Sequence, residues 1–290
     1  MSEATDLIAR HVSKLQTRGF TVIDNAMSPM AMNAVHADLA ADFERTPFGT
    51  GDFYGETTKR FGRLLLRSNK IQALVMHPLV RTMVRQILEP WCDCIQLNTT
   101  QAISVHPGAP AQLPHRDQDM WQADFGVREY VVNVMWPLTP YSQANGGTRL
   151  WPESHGGRSV NPFWNAAYEA PDLSPGAALV FLGSTLHAAG ANRSDLERRG
   201  IVIGYALGWL KPYENPWLAY PPHVARHFSP ELAALAGYVQ HRPNLGNFEG
   251  QCPSILLGDY DGGPLGAIDA LRPDQVADAA AFSHEWGRSG

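Results

Sequence analysis

Apolar residues recur at helical intervals through most of the first ninety positions and at strand intervals after them. In "LIARHVSKLQTRGF", Ile8, Val12 and Leu15 are spaced by four and three residues, which predicts a helix that stops at Gly19. "TVID" follows as a short strand. "SPMAMNAVHADLAADFE" predicts a second helix, with Ser28 as N-cap and Pro29 at its first position. "NKIQALVMHPLVRTMVRQILEP" predicts a third, interrupted by its internal proline. After Trp91 the texture changes to "CIQLNTTQAISV", "EYVVNVMWPLT", "AALVFLG" and "GIVIGYALGWL", separated by Pro, Gly and Asn. Short strands with frequent turn signals predict a sandwich or barrel. Helical spacing returns in "SPELAALAGY", and the chain reads as loop from Arg242 onward. No repeat, low-complexity segment or Gly/Ser linker divides the chain. We therefore expect one domain over residues 1–290, a β-core at about 91–212 with helical additions on both sides.

Composition narrows the partners. With 290 residues, 44% hydrophobic and 18% charged, the chain has ordinary globular composition. The net charge is -5 and no Lys/Arg block stands out, so no nucleic-acid footprint is present. No apolar run approaches the roughly 20 residues that span a bilayer, and no basic amphipathic helix suggests a membrane surface. "MSEATDLIARHVSKLQ" lacks the unbroken apolar core of a signal peptide. Three cysteines, Cys92, Cys94 and Cys252, form no disulfide framework or zinc pattern. They read as free thiols, and the expected location is cytoplasmic.

One polar stretch carries chemistry. "LPHRDQDMW" places His115 and Asp117 two residues apart. The same spacing occurs at His36 and Asp38, but there it lies in a helical pattern, where residues two apart point about 200° around the axis from each other. In extended chain, residues two apart share a face. His115 and Asp117 lie in the β-rich half, where both side chains can meet one ion. A further histidine would complete a 2-His-1-carboxylate triad, the ligand set of non-heme Fe(II) oxygenases. His155, His187, His223, His227 and His241 are downstream. His187 stands out because it ends the buried-looking strand "PGAALVFLGSTLH". The next strand opens with Arg198 and Arg199 in "LERRGIVIGYALGW". If the co-substrate is 2-oxoglutarate, its distal carboxylate needs a fixed cation, and arginine suits that task. Thr148, in "NGGTRLWPESH", offers a hydroxyl nearby.

"HRD", "NGGTRLWPESH" and "LHAAGANRSDLERRG", in this order over roughly residues 15 to 215, resemble the phytanoyl-CoA dioxygenase family of Fe(II)/2-oxoglutarate-dependent oxygenases. The resemblance implies a double-stranded β-helix, a jelly-roll or cupin-like barrel that is mainly β with flanking helices. It implies Fe(II) held by His115, Asp117 and His187, with 2-oxoglutarate and O2 as co-substrates. An arginine about eleven residues past the distal histidine holds the co-substrate in that family. Arg198 fits this place, and Arg199 is its alternate because alternation lets only one of them point inward. Two departures touch loop geometry: Glu153 where the family has glycine in "PGSH", and Gly176-Ala177 where it commonly has Gly-Asp. "YALGWLKPYENPWLAYPP" is similar to a subgroup acting on natural-product scaffolds, in secondary metabolism. There a glutamine three residues before the first ligand helps hold 2-oxoglutarate, which implies that role for Gln112.

The expected activity is oxidation, by hydroxylation or desaturation, of an unactivated C–H of a small, mostly hydrophobic molecule, with release of succinate and CO2. Trp121, Met120 and Trp136 are candidates for the substrate pocket, and Phe53, Tyr54 and Arg67 for a lid over it. Asp117 speaks against a halogenase, which needs the carboxylate's place for halide. The rival is a non-oxygenase metal enzyme on the same barrel, a zinc hydrolase or cupin-type isomerase, which has no need of the arginine. A binding module that has lost its chemistry is a third reading, although no ligand is missing. By analogy the chain would form a homodimer.

Overall fold

Strand parity gives the fold its two sides. Along Arg198–Leu207, the side chains of Ile201, Ile203, Tyr205 and Leu207 join one buried apolar cluster, while Arg198, Gly200, Val202 and Gly204 occupy the alternate positions. Along Val131–Pro137, Val132, Val134 and Trp136 enter the same cluster, and Asn133 and Met135 turn the other way. Successive side chains of a strand point to opposite faces. One face of the sheet is therefore packed against helices, and the other lines a cavity.

The computed structural model describes residues 3–122, 126–156 and 166–286. Its strands are β1 (Phe20–Ile23), β2 (Thr58–Phe61), β3 (Ile95–Val105), β4 (Val131–Pro137), β5 (Thr148–Leu150), β6 (Ala178–Leu182), β7 (His187–Ala189) and β8 (Arg198–Leu207). Six of them form an antiparallel sheet in the order β1-β6-β4-β8-β3-β2, and β5 pairs with β7 in a second sheet. Residues of both sheets line one cavity between them. The architecture is a double-stranded β-helix, a jelly-roll with flanking helices. Two strands come from the N-terminal region, so the β-structure draws on residues well before the expected start near 91.

Helices before and after the core, the last one excepted, share the apolar cluster on the outer face of the large sheet. They are α1 (Glu3–Arg18), α2 (Pro29–Arg45), α3 (Leu64–Arg67), α4 (Ile71–Val75) and α5 (Pro78–Leu88) before the core. After it come α6 (Pro216–Ala219), α7 (Pro222–Ala225), α8 (Pro230–Leu235) and α9 (Pro273–Trp286). Helix α1 ends just before Gly19, as its pattern requires. Ser28 caps α2, its hydroxyl accepting from the Ala31 N–H at 3.2 Å. The predicted third helix splits into α4 and α5, because Pro78 cannot continue a helix and starts a new one. Met32, Val35, Leu39, Val80, Met83 and Val84 are buried and meet the sheet's outer face in the main cluster. Helix α9 was not legible as a helix. Its residues are almost all exposed, so no apolar stripe marks it.

Two glycines on the inner face of β8 make room for other side chains. A Cβ on Gly200 would lie 1.8 Å from the Tyr141 hydroxyl, and one on Gly204 would lie 3.0 Å from Asn133 Oδ1. Tyr141 and Asn133 both serve the site described next.

Candidate metal centre and co-substrate pocket

His115 and His187 are bound to each other through their backbones. The His115 N–H donates to the His187 carbonyl at 2.9 Å, and the His187 N–H donates to the His115 carbonyl at 3.0 Å. This antiparallel bridge sets the two rings side by side, with centroids 4.4 Å apart. Arg116 is extended, and Asp117 then opens a 3₁₀ turn, Asp117–Met120. The extended residue between them brings His115 and Asp117 to one side, although no strand continues through both.

The tautomers follow from the partners. His115 Nδ1 lies 2.9 Å from the Leu113 carbonyl, and His187 Nδ1 lies 3.0 Å from the Thr185 carbonyl. A carbonyl only accepts, so each Nδ1 carries the proton and each Nε2 keeps its lone pair. His115 Nε2 is 3.4 Å from Asp117 Oδ1, and His187 Nε2 is 3.6 Å from Asp117 Oδ2. The ligand atoms of all three residues lie within 4.8 Å of one another. A metal about 2.1 Å from each donor sets neighbouring donors about 3 Å apart, so the cluster fits one ion with little movement. Asn133 Nδ2 donates to Asp117 Oδ2 at 2.8 Å, which fixes the carboxylate's rotation.

The charges suit a divalent cation. Burial alone would raise the Asp117 carboxyl, but His187 and His115, with Arg60 beyond, outweigh it and hold it at about 2. Burial pushes His187 down to about 4, so its imidazole is neutral at neutral pH. His115 moves up: burial opposes its charge, and the neighbouring Asp117 carboxylate overcomes that, so a metal at its Nε2 takes the place of a proton held there when the site is empty. Metal ligands need an ionised carboxylate and neutral imidazoles.

Arg198 points into the same cavity and is 3% exposed. Its Nε and Nη1 have no hydrogen-bond partner, and no carboxylate pairs with it among the described residues. Its guanidinium lies 4.4 Å above the ring of Tyr141, whose hydroxyl fills the space that Gly200 leaves open. Arg199 points the other way. It pairs with Glu197 at 2.7 Å and Glu44 at 2.9 Å, and stacks on Phe43. The strand's alternation thus separates the two arginines that the sequence left open. Thr148 and Gln112 also line the cavity. Gln112 Oε1 accepts from the Ala189 N–H at 3.3 Å, and its Nε2 donates to the Phe53 carbonyl at 3.4 Å.

Among the expected pocket residues, Met120, Phe53 and Tyr54 line the cavity. The Phe53 ring meets the His115 ring edge-on at 4.8 Å. Three candidates lie outside its lining. Trp121 follows the 3₁₀ turn, which carries its indole away to Tyr130 and to the Lys211 carbonyl at 2.9 Å. Arg67 donates to Asp42 at 2.7 Å and to the Gly62 carbonyl at 2.8 Å, which holds it at the surface of α2. Trp136 has the wrong parity and is buried on the helical face. Two of the rival histidines are occupied elsewhere. His155 Nε2 bonds the Gln16 carbonyl at 2.9 Å, and His241 Nε2 accepts from the Asp93 N–H at 3.0 Å. The decoy pair is split too: His36 neighbours Arg199, and Asp38 pairs with Lys70. Glu153 adopts a left-handed φ of 60°, so the loop keeps a glycine-like backbone without the glycine. At the second departure the glycine itself is kept, Gly176 at φ 103°, and the residue that differs is Ala177.

The polar cavity residues that escaped the sequence reading include Arg60, Gln101, Asn133 and Tyr213. Only Asn133 carried a signal, as a lone amide in the apolar run "VVNVMW".

The fold and this cluster define a double-stranded β-helix protein with a 2-His-1-carboxylate site and a buried cation beside it. The family of phytanoyl-CoA dioxygenase (PhyH) matches residues 15–200, and the chain belongs to it. It is an enzyme of that kind, an Fe(II)/2-oxoglutarate-dependent dioxygenase whose cofactors are Fe(II), 2-oxoglutarate and O2. Among its relatives, Dioxygenase trt7 of Aspergillus terreus is 27% identical over 241 residues, 77% of this chain and 82% of that protein. Dioxygenase FrzG of a Cladobotryum species is 30% identical over 219 residues, 70% and 69% of the two chains. Of solved structures, the epimerase SnoN in complex with Fe3+, alpha ketoglutarate and nogalamycin RO shares the fold. Its TM-score is 0.59 at 15% identity, over 71% of this chain and 85% of that one. HygX from Streptomyces hygroscopicus with nickel and 2-oxoglutarate bound has a TM-score of 0.54 at 14% identity, over 71% and 89%.

Proposed function

We propose that the enzyme oxidises, by hydroxylation or desaturation, an unactivated C–H of a small, mostly hydrophobic molecule, and converts 2-oxoglutarate to succinate and CO2. The observation that carries this reading is Arg198. A buried guanidinium without a counter-ion costs several kcal/mol, and a co-substrate carboxylate removes that cost. A zinc hydrolase or cupin-type isomerase has no use for such a cation beside the triad.

His115, Asp117 and His187 would hold the Fe(II), which supplies dioxygen activation at the expense of 2-oxoglutarate. Arg198 takes the distal carboxylate in a charge-assisted pair, and Thr148 adds a hydroxyl. Gln112, on the segment leading to His115, bridges Ala189 of β7 and the loop at Phe53, and so couples the co-substrate's place to the cavity mouth. Asn133 keeps Asp117 turned toward the histidines. Phe53 and Tyr54 cover the mouth and limit water. Met135, Phe181 and Val202 give the cavity its apolar floor. We propose that this machinery works as one domain over residues 1–290. In support, one apolar cluster joins Val12 of α1, the large sheet and Tyr238 beyond α8.

Relatives named as dioxygenases of fungi, and a structural neighbour bound to a nogalamycin compound, favour natural-product scaffolds as the first substrates to try. The test is succinate release under air, scored against a panel of terpenoid, alkaloid and polyketide compounds. Compound-dependent succinate that is lost in Asp117→Ala supports the proposal. Metal-dependent turnover of a compound without consumption of 2-oxoglutarate would overturn it.

A further inference from the structure

The cavity contains a second cation that the reading above leaves unused. Arg60, on β2, is half-buried and lines the cavity. Its Nε is buried without a hydrogen-bond partner, and its Nη1 reaches Gln101 Oε1 only at 3.4 Å. Its guanidinium lies 5.3 Å over the Tyr54 ring. Among the described residues no carboxylate stands within ion-pair distance of it. Asp117 is the acidic group whose field reaches it, and that carboxylate belongs to the triad.

Charge counting makes Arg60 conspicuous. Fe(II) brings two positive charges and Arg198 one. Asp117 brings one negative charge and 2-oxoglutarate two. These cancel, and Arg60 is left over in a half-buried place where a lone charge is costly. Its neighbours are donors as well. The Tyr54 and Tyr213 hydroxyls are 2.6 Å apart, and that bond uses one of their two protons. Gln101 also hydrogen-bonds Tyr213. The four residues come from β2, β3, the loop before β2 and the segment after β8, and all line one part of the cavity. Arg60 pairs with Ile103 on β3, while Arg198 pairs with Val105 on the same strand from the other side. The two cations thus stand on opposite sides of β3, and one co-substrate carboxylate on Arg198 leaves Arg60 open.

We infer that Arg60 anchors an anionic oxygen of the prime substrate, with Tyr54 and Tyr213 as supporting donors. The substrate class is then a molecule with a hydrophobic body and one acidic group, a carboxylate or an ionised enol or phenol. This rests on the function proposed above and sharpens its substrate. The other source of an anion is the C1 carboxylate of 2-oxoglutarate, and the experiment separates the two.

Protein loaded with Ni(II) and saturating 2-oxoglutarate is titrated calorimetrically with 1-naphthoate and with uncharged 1-naphthamide. The acid is expected to bind about tenfold tighter than the amide or better, as a charge-assisted hydrogen bond implies. Arg60→Gln should erase that preference, Arg60→Lys should keep part of it, and in both the affinity for 2-oxoglutarate should stay within about threefold of wild type. Circular dichroism and Tm show whether each variant is folded. Equal affinity for acid and amide, or binding of neither, would overturn the inference. So would an Arg60→Gln variant that loses 2-oxoglutarate as severely as Arg198→Gln, which would assign Arg60 to the co-substrate. If wild type binds no 2-oxoglutarate, the proposed function fails by itself. The acid–amide comparison on the Ni(II) protein still reads Arg60.

Discussion

The two faces of the large sheet are made by the same strands and do opposite work. The helical face is a continuous apolar contact: Val132, Val134, Trp136, Ile201, Ile203 and Tyr205 are all essentially buried. The cavity face carries Asn133, Gln101, Arg198 and two glycines among its apolar positions. One face supplies stability through burial of area. The other gives some of it up to hold polar groups whose partners are not part of the chain. The adjacent arginines make the contrast sharpest. Arg199 is satisfied by Glu197 and Glu44, whereas among the described residues Arg198 rests on an aromatic ring with its Nε and Nη1 unpartnered.

Substitutions on the two faces should therefore separate folding from binding. Trp136→Ala empties a large site on the helical face and should cost about 3–5 kcal/mol of stability, read by urea unfolding. Loss of the co-substrate site alone, with folding unchanged, would contradict the assignment of faces. Gly200→Ala puts a methyl where the Tyr141 hydroxyl lies. It should cost about 1–3 kcal/mol by overpacking and should also weaken 2-oxoglutarate binding, because Arg198 rests on Tyr141. Calorimetry on the apo and Ni(II)-loaded protein reads both effects. Asn133→Ala should leave the Tm nearly unchanged and weaken metal binding about 10-fold or more, through the loosened Asp117 carboxylate. Competition with a chelator measures it. Arg199→Ala is the smallest case. A partly exposed pair contributes up to about 1 kcal/mol, and 2-oxoglutarate affinity should not move.

Much of this arrangement is legible in the sequence where it depends on neighbours along the chain. Helices α1 and α2 announce themselves by spacing and by Ser28, and β3, β4, β6 and β8 by their β-rich runs. His115 and Asp117 are near each other because one extended residue separates them. What depends on distant pairing is not legible. Arg60 and Tyr213 join the cavity only because β2 pairs with β3 and the chain after β8 folds back on Asn98. "TKRF" carries two cations and a single apolar residue, so nothing in its composition marks a strand. Trp121 looked like a pocket residue by closeness to Asp117, but a single 3₁₀ turn redirects it. Arg67 lies near the lid in sequence, and Asp42, twenty-five residues earlier, takes its charge. Met120 and Trp121 also stand next to residues 123–125, which lie outside the described part of the chain.

The central claim is that the triad and Arg198 form one site for Fe(II) with 2-oxoglutarate. The direct measurement is anaerobic titration of the apo-protein with Fe(II) and then 2-oxoglutarate, following the weak visible charge-transfer absorption of the chelate. The account predicts that the band appears with one equivalent of each. It should be absent in His187→Ala, and in Arg198→Ala it should need about 10- to 100-fold more 2-oxoglutarate. A band that forms in Arg198→Ala at the wild-type concentration, or Fe(II) binding with no band at any concentration of 2-oxoglutarate, would contradict it.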